Sequence, residues 1–290
     1  MSYQSIFRAG LFDGRVIIVT GGGSGIGRCT AHELAALGAA VALVGRKLEK
    51  LQRVAAEISD AGGRVSIHVC DIREEPAVHQ TVRDVLAEHA RIDGLVNNAG
   101  GQFASPLASI TAKGWDAVVR NNLTGGFLFA RECYTQWMAE HAAASCGIVN
   151  VIADMWQGMP GMGHSGAARA GMLNFTETAA LEWAPVRVNA IAPGWIASSG
   201  LDQYPPEMAP HIRALASHVP LRRLGTESEV SAAIVFLLAP GASFISGACL
   251  RVDGAAPNAK RAWAQVGSGA PNEPFNGFQL AQVPKVLRDE

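Results

Sequence analysis

Short runs of β-branched residues alternate with longer segments of helical periodicity from Arg15 to about Gly254. The predicted strands are VIIVT (16–20), VALVG (41–45), VSIHV (65–69), LVN (95–97), IVNVI (148–152), VRVNAIA (186–192) and ACLRV (248–252). The predicted helices, in which apolar residues recur at helical spacing, span 25–37, 47–60, 75–89, 113–140, 166–183 and 227–239. The pattern predicts an α/β fold: a single doubly wound domain with a seven-stranded parallel sheet and helices on both faces.

Two segments depart from this alternation. Residues 195–225 contain four prolines and are too long for an ordinary connection, so we expect a substrate lid there. Residues 255–290 contain four more prolines without periodicity, which predicts an extended tail lying on the domain or on a neighbour. We therefore assign residues 1–254 to one domain and residues 255–290 to a C-terminal tail.

Composition excludes several classes of protein. Of the 290 residues, 49% are hydrophobic and 17% are charged, which excludes a disordered chain and supplies a large core. The formal net charge of -1 gives no general attraction to nucleic acid or to an anionic membrane surface. The longest uncharged run, Val230 to Leu250, is broken by Pro240-Gly241, so it predicts a buried helix, a turn and a strand. We expect neither a nucleic-acid nor a membrane partner.

Targeting and metal-binding patterns are also missing from the sequence. The first residues lack the basic-then-apolar order of a secretory signal, and the last ones are not a peroxisomal tripeptide, so we expect a cytoplasmic protein. The five cysteines are scattered and have no CxxC spacing. They support neither a disulfide framework nor a zinc site, and no metal site is predicted.

A glycine-rich loop, GGGSGIG over residues 21–27, follows the first predicted strand and leads directly into a helix. Glycines let the backbone approach a pyrophosphate, and the helix N-terminus offers N–H groups and a favourable dipole. Because the strand before and the helix after are both present, the loop predicts a dinucleotide site.

Three motifs resemble those of the short-chain dehydrogenase/reductase superfamily. They are the spacing G-x-x-x-G-x-G in the loop, Asn97-Asn98-Ala99-Gly100 after the fourth strand and Pro193-Gly194 after the sixth. The resemblance covers roughly residues 12–254 and implies a Rossmann-type oxidoreductase that uses a nicotinamide cofactor. The cofactor contacts that it implies are Gly21, Ser24, Gly25, Ile26, Gly27, Asp71, Ile72, Asn98, Ala99, Gly100, Arg169, Gly194 and Ile196.

The end of the second strand bears on the choice of cofactor. Gly45-Arg46-Lys47 stand where an acidic residue would bind the ribose 2′-hydroxyl. A guanidinium there can hold a 2′-phosphate, so Arg46 and Lys47 predict NADP(H) in preference to NAD(H). The other interpretation of this basic pair is a solvated helix start.

The residues that normally carry proton transfer in this superfamily are replaced. The superfamily presents a Ser on the fifth strand, then a Tyr four residues before a Lys, with an Asn in the preceding helix. Asn122 matches the Asn, but the serine position holds Ile152 or Ala153. Ser165 stands at the Tyr position and Arg169 at the Lys position, and none of the three tyrosines fits the motif.

This replacement favours one kind of hydride chemistry. Interconverting a ketone and an alcohol exchanges a proton at oxygen, and an unaided serine hydroxyl is too weak an acid for that step. Arg169 is permanently charged, so it can hold the nicotinamide ribose but cannot relay protons. Reducing a conjugated C=C bond is less demanding, because hydride goes to Cβ and fixed donors stabilise the enolate until Cα collects a proton.

Four further stretches are similar to peroxisomal trans-2-enoyl-CoA reductase and its bacterial relatives: NNAGGQFASP (97–106), GWDAVVRNNLTGGF (114–127), HSGAARAG (164–171) and NFTETAALEWA (174–184). This resemblance implies NADPH-dependent saturation of enoyl-CoA thioesters, a reaction of fatty acid metabolism, with an acyl-CoA or another small hydrophobic molecule as substrate.

The proton donor stays open. The tyrosine credited to that family falls on Leu173, which leaves His164, Ser165, Asp154 and Tyr204 as candidates. His164 can act near neutral pH, Asp154 only with a raised pKa, and Tyr204 only if the lid closes. Each also has a structural interpretation, such as an N-cap of helix 166–183 for Ser165. The predicted catalytic residues are Asn122, His164, Ser165 and Arg169.

Three hypotheses of function follow. The first is the enoyl-CoA reductase, with Met155, Trp156, Met159 and Met162 either lining an acyl channel or filling the core. The second is a dehydrogenase of hydrophobic, branched or terpenoid alcohols, and the third is a nucleotide-binding protein without catalysis. The apolar helices 113–140 and 166–183 predict a homodimer or homotetramer.

Overall fold

The computed structural model describes residues 2–142, 145–258 and 270–288. Within these ranges, seven strands form one parallel sheet in the order β3-β2-β1-β4-β5-β6-β7. They are β1 Val16–Thr20, β2 Ala40–Gly45, β3 Arg64–Val69, β4 Gly94–Asn97, β5 Gly147–Val151, β6 Arg187–Pro193 and β7 Cys249–Val252. The strand order reverses between β1 and β4, so a topological switch point lies at their carboxyl ends. The predicted single doubly wound α/β domain is confirmed.

Helices cover both faces of the sheet. They are α1 Gly25–Ala36, α2 Leu48–Asp60, α3 Glu75–His89, α4 Ala112–Val119, α5 Gly125–Cys133, α6 Ala139–His141, α7 Gly163–Glu182, α8 Ala209–His218 and α9 Glu227–Leu238. Two π-helical segments, Arg120–Thr124 and Tyr134–Met138, join α4, α5 and α6 into one long element. No helix in the described ranges is long and apolar enough to cross a membrane.

The core forms two layers, one on each face of the sheet. On β1, Ile17 and Val19 face the layer made by α1, α2 and α9. Val16 and Ile18 face the opposite layer, made by α3, α5 and α7. Because both faces of β1 are buried, its sequence is apolar throughout instead of alternating, as is typical of a parallel sheet.

The helix boundaries correct the sequence prediction at two places. Helix α7 begins at Gly163, three residues before the predicted start, so Ser165 lies inside the helix and is not its N-cap. Helix α8, within the predicted lid, was not predicted, because the prolines around it indicate a break. Pro210 lies in the first turn of α8. Backbone N–H groups in the first turn form no hydrogen bond within the helix, so a proline there costs none.

The described part of the tail, residues 270–288, lies against the domain. Phe278 is buried beside Tyr3, and the Gln4 N–H donates to the carbonyl of Gly277 at 2.8 Å. Farther along, the Val286 N–H donates to the Asp202 carboxylate in the predicted lid at 3.2 Å. The functional division into domain, lid and tail stays a prediction.

A buried chain of hydrogen bonds joins two strands to the helices behind them. The Asn97 amide on β4 donates to Asn150 Oδ1 on β5 and to the Gly126 carbonyl, each at 2.9 Å. The Asn150 amide donates to Thr176 Oγ1 on α7 at 2.9 Å, and the Thr176 hydroxyl donates to the Met172 carbonyl at 2.8 Å. These bonds fix the carboxyl ends of β4 and β5 against α7.

Replacing Thr176 by Val keeps the volume of the side chain but leaves the Asn150 amide without its buried acceptor. We expect Thr176→Val to lower the free energy of unfolding by about 1–3 kcal/mol, the range for orphaning a buried polar group. The matched control is Thr135→Val, because the exposed Thr135 hydroxyl makes the same kind of bond to the Arg131 carbonyl at 2.9 Å. That control should stay within about 0.5 kcal/mol. Denaturant titration of both variants checks this, and equal losses would contradict it.

Candidate active site

A cleft of about 420 Å³ opens at the topological switch point. The sequence-predicted cofactor residues that line it are Gly21, Ser24, Gly25, Ile26, Arg46, Ile72, Asn98, Ala99, Gly100, Arg169, Gly194 and Ile196. They come from the carboxyl ends of five different strands and from α7, and the parallel sheet brings these ends to one edge. Gly27, Lys47 and Asp71 do not line the cleft.

The glycine-rich loop is held by the residues after β4. Gly21 has a φ of 68°, and a Cβ there would lie 2.8 Å from Asn98 Nδ2. Gly27 packs behind the loop, where a Cβ would overlap Asn98 and the Gly21 carbonyl. Thr20, which sequence reasoning missed, accepts the N–H groups of Asn98 and Ala99 at 3.0 Å through its hydroxyl. Because the glycines of this loop carry no side chains, its backbone lies open to the cleft, and such a backbone fits the diphosphate of a dinucleotide.

The adenosine end of the cleft is basic. Arg46 lines it, whereas Lys47 is the exposed N-terminal flanking residue of α2. Asp71, predicted to accept from the adenine amine, forms an ion pair with Arg73 at 2.5 Å, and its contact with adenine stays a prediction. The hydrogen bonds from Arg73 lower the pKa of Asp71 to about 2. The pair keeps Asp71 ionised and turned to Arg73.

Arg169 is buried on α7 with an unpaired charge. Its Nη1 donates to the Val151 carbonyl at 2.8 Å, and its Nε has no hydrogen-bond partner among the described residues. No carboxylate in the described ranges forms an ion pair with it. Burial lowers the pKa of Arg169 to about 10, so the guanidinium stays charged at neutral pH. A buried cation without a counter-ion is unfavourable until a bound molecule supplies acceptors, which fits a ribose or an anionic oxygen in the cleft.

Asn122 supports the wall of the cleft from behind. It lies in the first π-helical segment, and its amide donates to the carbonyls of Gly101 at 2.7 Å and Val118 at 2.8 Å. Its Oδ1 accepts the Gly101 N–H at 3.0 Å. Gly100 fits between Asn122 and Arg169, since a Cβ there would lie 2.7 and 2.8 Å from their polar atoms. Both amide N–H groups of Asn122 are therefore already engaged.

His164 and Ser165 are buried and do not line the cleft. The Ser165 hydroxyl donates to Gln102 Oε1 at a long 3.5 Å. His164 Nδ1 accepts the backbone N–H of Ser165 at 2.9 Å, so the neutral ring carries its proton on Nε2. That Nε2 has no hydrogen-bond partner in the described ranges, and the ring packs edge-on against Phe103 at 4.6 Å. In this arrangement neither side chain reaches the cleft directly.

A second, largely apolar pocket of about 400 Å³ adjoins the cleft. Gln102, Ala153 and Trp195 belong to the walls of both cavities. The walls of this pocket alone include Trp156, Met159, Met162, Met208, Ile212 and Leu215. Trp156, Met159 and Met162 were candidates for an apolar channel, whereas Met155 packs against the cluster of Ile152 and Met172. Gln102 and Trp195 were not predicted, although Trp195 directly follows the predicted Gly194 and Gln102 lies two residues after the predicted Gly100.

Tyr204 and Asp154 are the donor candidates that face these cavities. Tyr204 lines both of them, and its hydroxyl donates to Met162 Sδ at 3.8 Å. Asp154 lines only the second pocket, and its Oδ1 has no hydrogen-bond partner among the described residues. Burial, together with the nearby charge of Asp253, raises the pKa of Asp154.

Known proteins resemble this chain over most of its length. A family model described as enoyl-(acyl carrier protein) reductase matches residues 21–255. A probable 2,4-dienoyl-CoA reductase of Bacillus subtilis is 36% identical over 244 residues, which cover 83% of this chain and 95% of the relative.

Solved structures agree with these matches. A citronellol catabolism dehydrogenase of Pseudomonas aeruginosa PAO1 is 62% identical, with a TM-score of 0.79, covering 88% of this chain and 100% of the other. An actinorhodin polyketide ketoreductase, solved with NADPH, is 28% identical with a TM-score of 0.78 and covers 87% and 100%. The chain therefore belongs to the short-chain dehydrogenase/reductase family of oxidoreductase enzymes.

Proposed function

We propose that this protein reduces the C=C bond of a trans-2-enoyl-CoA thioester with NADPH. The observation that carries the proposal is Arg169, a buried cation on the wall of the cofactor cleft that pairs with no carboxylate among the described residues. It stands at the position where the family normally has a lysine beside a tyrosine. A fixed positive charge in a site shielded from water stabilises an oxygen that becomes negative in the transition state.

The fold implies a nicotinamide cofactor, and the glycine loop with the unsatisfied Arg169 Nε fits one. When bound, NADPH supplies a hydride to Cβ of the enoyl group. Arg169 holds the nicotinamide ribose or the thioester oxygen, where negative charge collects as the enolate forms. Asn122 positions the loop at Gly101 and thereby keeps the wall opposite Arg169 in place.

Tyr204 is our choice for the proton that Cα collects. It is a hydroxyl-bearing acid on the walls of both cavities, and its present partner, the Met162 thioether, is a weak acceptor that a substrate displaces easily. Ser165 is a poorer choice because its hydroxyl turns to Gln102. The apolar pocket with its flexible methionines suits the acyl chain.

A specific observation favours a second candidate function, the dehydrogenase of a hydrophobic branched alcohol. The relative that is 62% identical is described as a citronellol catabolism dehydrogenase. This reaction needs a base at the alcohol oxygen, and Asp154 or Tyr204 would have to supply it. Reduction of NADP⁺ by citronellol, without oxidation of NADPH by enoyl-CoA, would select this candidate.

The assembly and the compartment remain proposals as well. The exposed side chains of Leu181 and Phe244 lie close to the sheet edge at β7, since a Cβ on Gly247 would touch Ala180. Exposed apolar groups beside an open sheet edge support association with a second copy, as a homodimer or homotetramer. The cytoplasmic location stays a prediction.

Removing the charge of Arg169 tests the proposed mechanism. Arg169→Gln should lower kcat for NADPH oxidation by a medium-chain trans-2-enoyl-CoA by about 10²–10³-fold, as expected when an oxyanion-stabilising donor is lost. Arg187→Gln is the matched control, because Arg187 is also buried but bonds the carbonyls of Leu237 and Leu238 away from the cleft. Steady-state kinetics on variants that unfold cooperatively checks this. Undiminished activity in Arg169→Gln, or no turnover by wild-type protein with NADPH bound, would contradict the mechanism.

Tyr204 can be tested by removing one oxygen atom. Tyr204→Phe should reduce kcat by about 10²–10⁴-fold, the usual contribution of a general acid, while NADPH affinity stays unchanged. Tyr134→Phe is the control, because Tyr134 lines neither cavity and stacks on Trp183 at 4.5 Å, partly buried against the core layer of α3, α5 and α7. The solvent isotope effect on kcat should change only in Tyr204→Phe. Equal kcat values for the two variants would assign the proton to another group.

Arg46 tests the cofactor preference. Arg46→Ala should weaken NADPH binding about tenfold or more, since a charge-assisted hydrogen bond to the 2′-phosphate contributes about 1.5–3 kcal/mol. NADH binding should stay constant because NADH has no such phosphate. Arg83→Ala, an exposed arginine on α3 outside the cleft, is the control. Fluorescence titration gives both dissociation constants, and equal losses for NADPH and NADH would refute the assignment.

A further inference from the structure

Two histidines and a glutamate converge between the edge strand β3 and the end of α3. His68 Nε2 lies 2.9 Å from the Ser66 hydroxyl oxygen, and His89 Nε2 lies 2.8 Å from the same oxygen. The Glu88 carboxylate approaches both rings, at 3.8 Å from His68 Nε2 and 3.8 Å from His89 Nε2. One ligand atom from each of the three side chains therefore lies within 4.8 Å of the others.

Both imidazoles point the same ring nitrogen, Nε2, at the Ser66 hydroxyl. Ser66 has one hydroxyl proton, so it donates to one imidazole and accepts from the other. His68 is largely buried, with 8% of its side chain exposed, so its ring is held in place beside Ser66. A neutral imidazole can turn an unprotonated Nε2 to a metal ion and keep its proton on Nδ1.

The surroundings favour a cation. Glu88 has 52% of its side chain exposed, so it can rotate towards the two rings without repacking the core. Asp84, one turn earlier on α3, contributes further negative charge near His68. Zn²⁺ bonds to imidazole nitrogen at about 2.0–2.1 Å, which needs ligand atoms roughly 3.4 Å apart in a tetrahedron. The Glu88 carboxylate oxygens, at 3.8 Å from each ring nitrogen, are already close to that spacing.

We propose that His68, Glu88 and His89 bind one divalent transition-metal ion of the Zn²⁺ type. Two imidazoles and one carboxylate select such an ion over Mg²⁺ or Ca²⁺, which prefer all-oxygen ligands. The fourth position is open to water. This site is separate from the proposed reaction and does not depend on it.

A bound ion would reinforce the hydrogen bond between Ser66 and His89 that already joins β3 to α3. β3 is the edge of the sheet and pairs with β2 alone, and His89 is the last residue of α3. The chain between these ligands contains Cys70 and Ile72, which line the cofactor cleft. A bound ion therefore crosslinks the unit that carries the adenosine wall. The sequence predicted no metal site because the ligands are about twenty residues apart and follow no metal-binding spacing.

Zinc titration of the untagged full-length protein tests the site. Competition with a chromophoric chelator should give one tight site per chain, and Co²⁺ in its place should give the intense visible absorption of a four-coordinate ion. His89→Gln and Glu88→Gln should each weaken Zn²⁺ binding more than about tenfold, since losing even an outer-shell partner costs that much. Glu88 is exposed, so its substitution leaves the fold intact.

His218→Gln, an exposed histidine at the end of α8, is the matched control and should bind Zn²⁺ like the wild type. Zn²⁺ should also raise Tm in the wild type and in His218→Gln, but not in the two ligand variants. Zinc binding that is equally tight in His89→Gln, Glu88→Gln and wild type would place the ion elsewhere and overturn the proposal. The absence of stoichiometric binding by the wild type would overturn it as well.

Discussion

The burial of one arginine is the constraint on which the site depends. Arg169 enters the protein interior on α7, where, among the described residues, the Val151 carbonyl accepts its hydrogen bond, Gly100 packs against it, and no carboxylate pairs with it. A charge in such a place destabilises the empty protein and is tolerated because the cleft admits molecules with acceptor oxygens. The buried guanidinium needs a glycine at position 100, because a larger side chain there would occupy its place. It also needs the bonds from Asn122 to Gly101, because they hold the neighbouring loop in position.

The cofactor cleft and the apolar pocket share one wall. Ala153 follows β5, Gly194 and Trp195 follow β6, and Tyr204 belongs to the proline-rich segment that also contains α8. Gln102 completes the boundary from the loop after β4. The reacting carbon atoms would meet at this boundary, with dinucleotide on one side and an apolar chain on the other. The tail reaches the same segment through the hydrogen bond from Val286 to Asp202, so the predicted lid and the described part of the tail are in contact.

The sequence predicted the scaffold well because the scaffold depends on local patterns. Strand β1 matches its prediction residue for residue, since a β-branched run between turn residues has few alternatives. Helix α7 was misplaced by three residues because it starts without a side-chain cap, and α8 was missed because prolines indicate a break. The pairing of Asp71 with Arg73 and the inward turn of Ser165 had no sequence signal, since both depend on rotamers and packing.

The charge on Arg169 favours a negative oxygen in either reaction, so the two candidate functions differ in what happens to the proton. In alcohol oxidation the proton must leave the oxygen inside the site as hydride departs, which requires a base within hydrogen-bond reach of that oxygen. In enoyl reduction the proton goes to carbon after negative charge has formed, and a less closely placed acid can deliver it. In this cleft Ser165 replaces the family tyrosine, and the Ser165 hydroxyl turns to Gln102. The site therefore retains the charge stabilisation by Arg169, but no base stands at the tyrosine position. This asymmetry, more than the apolar pocket that both substrates would share, favours reduction of a conjugated C=C bond.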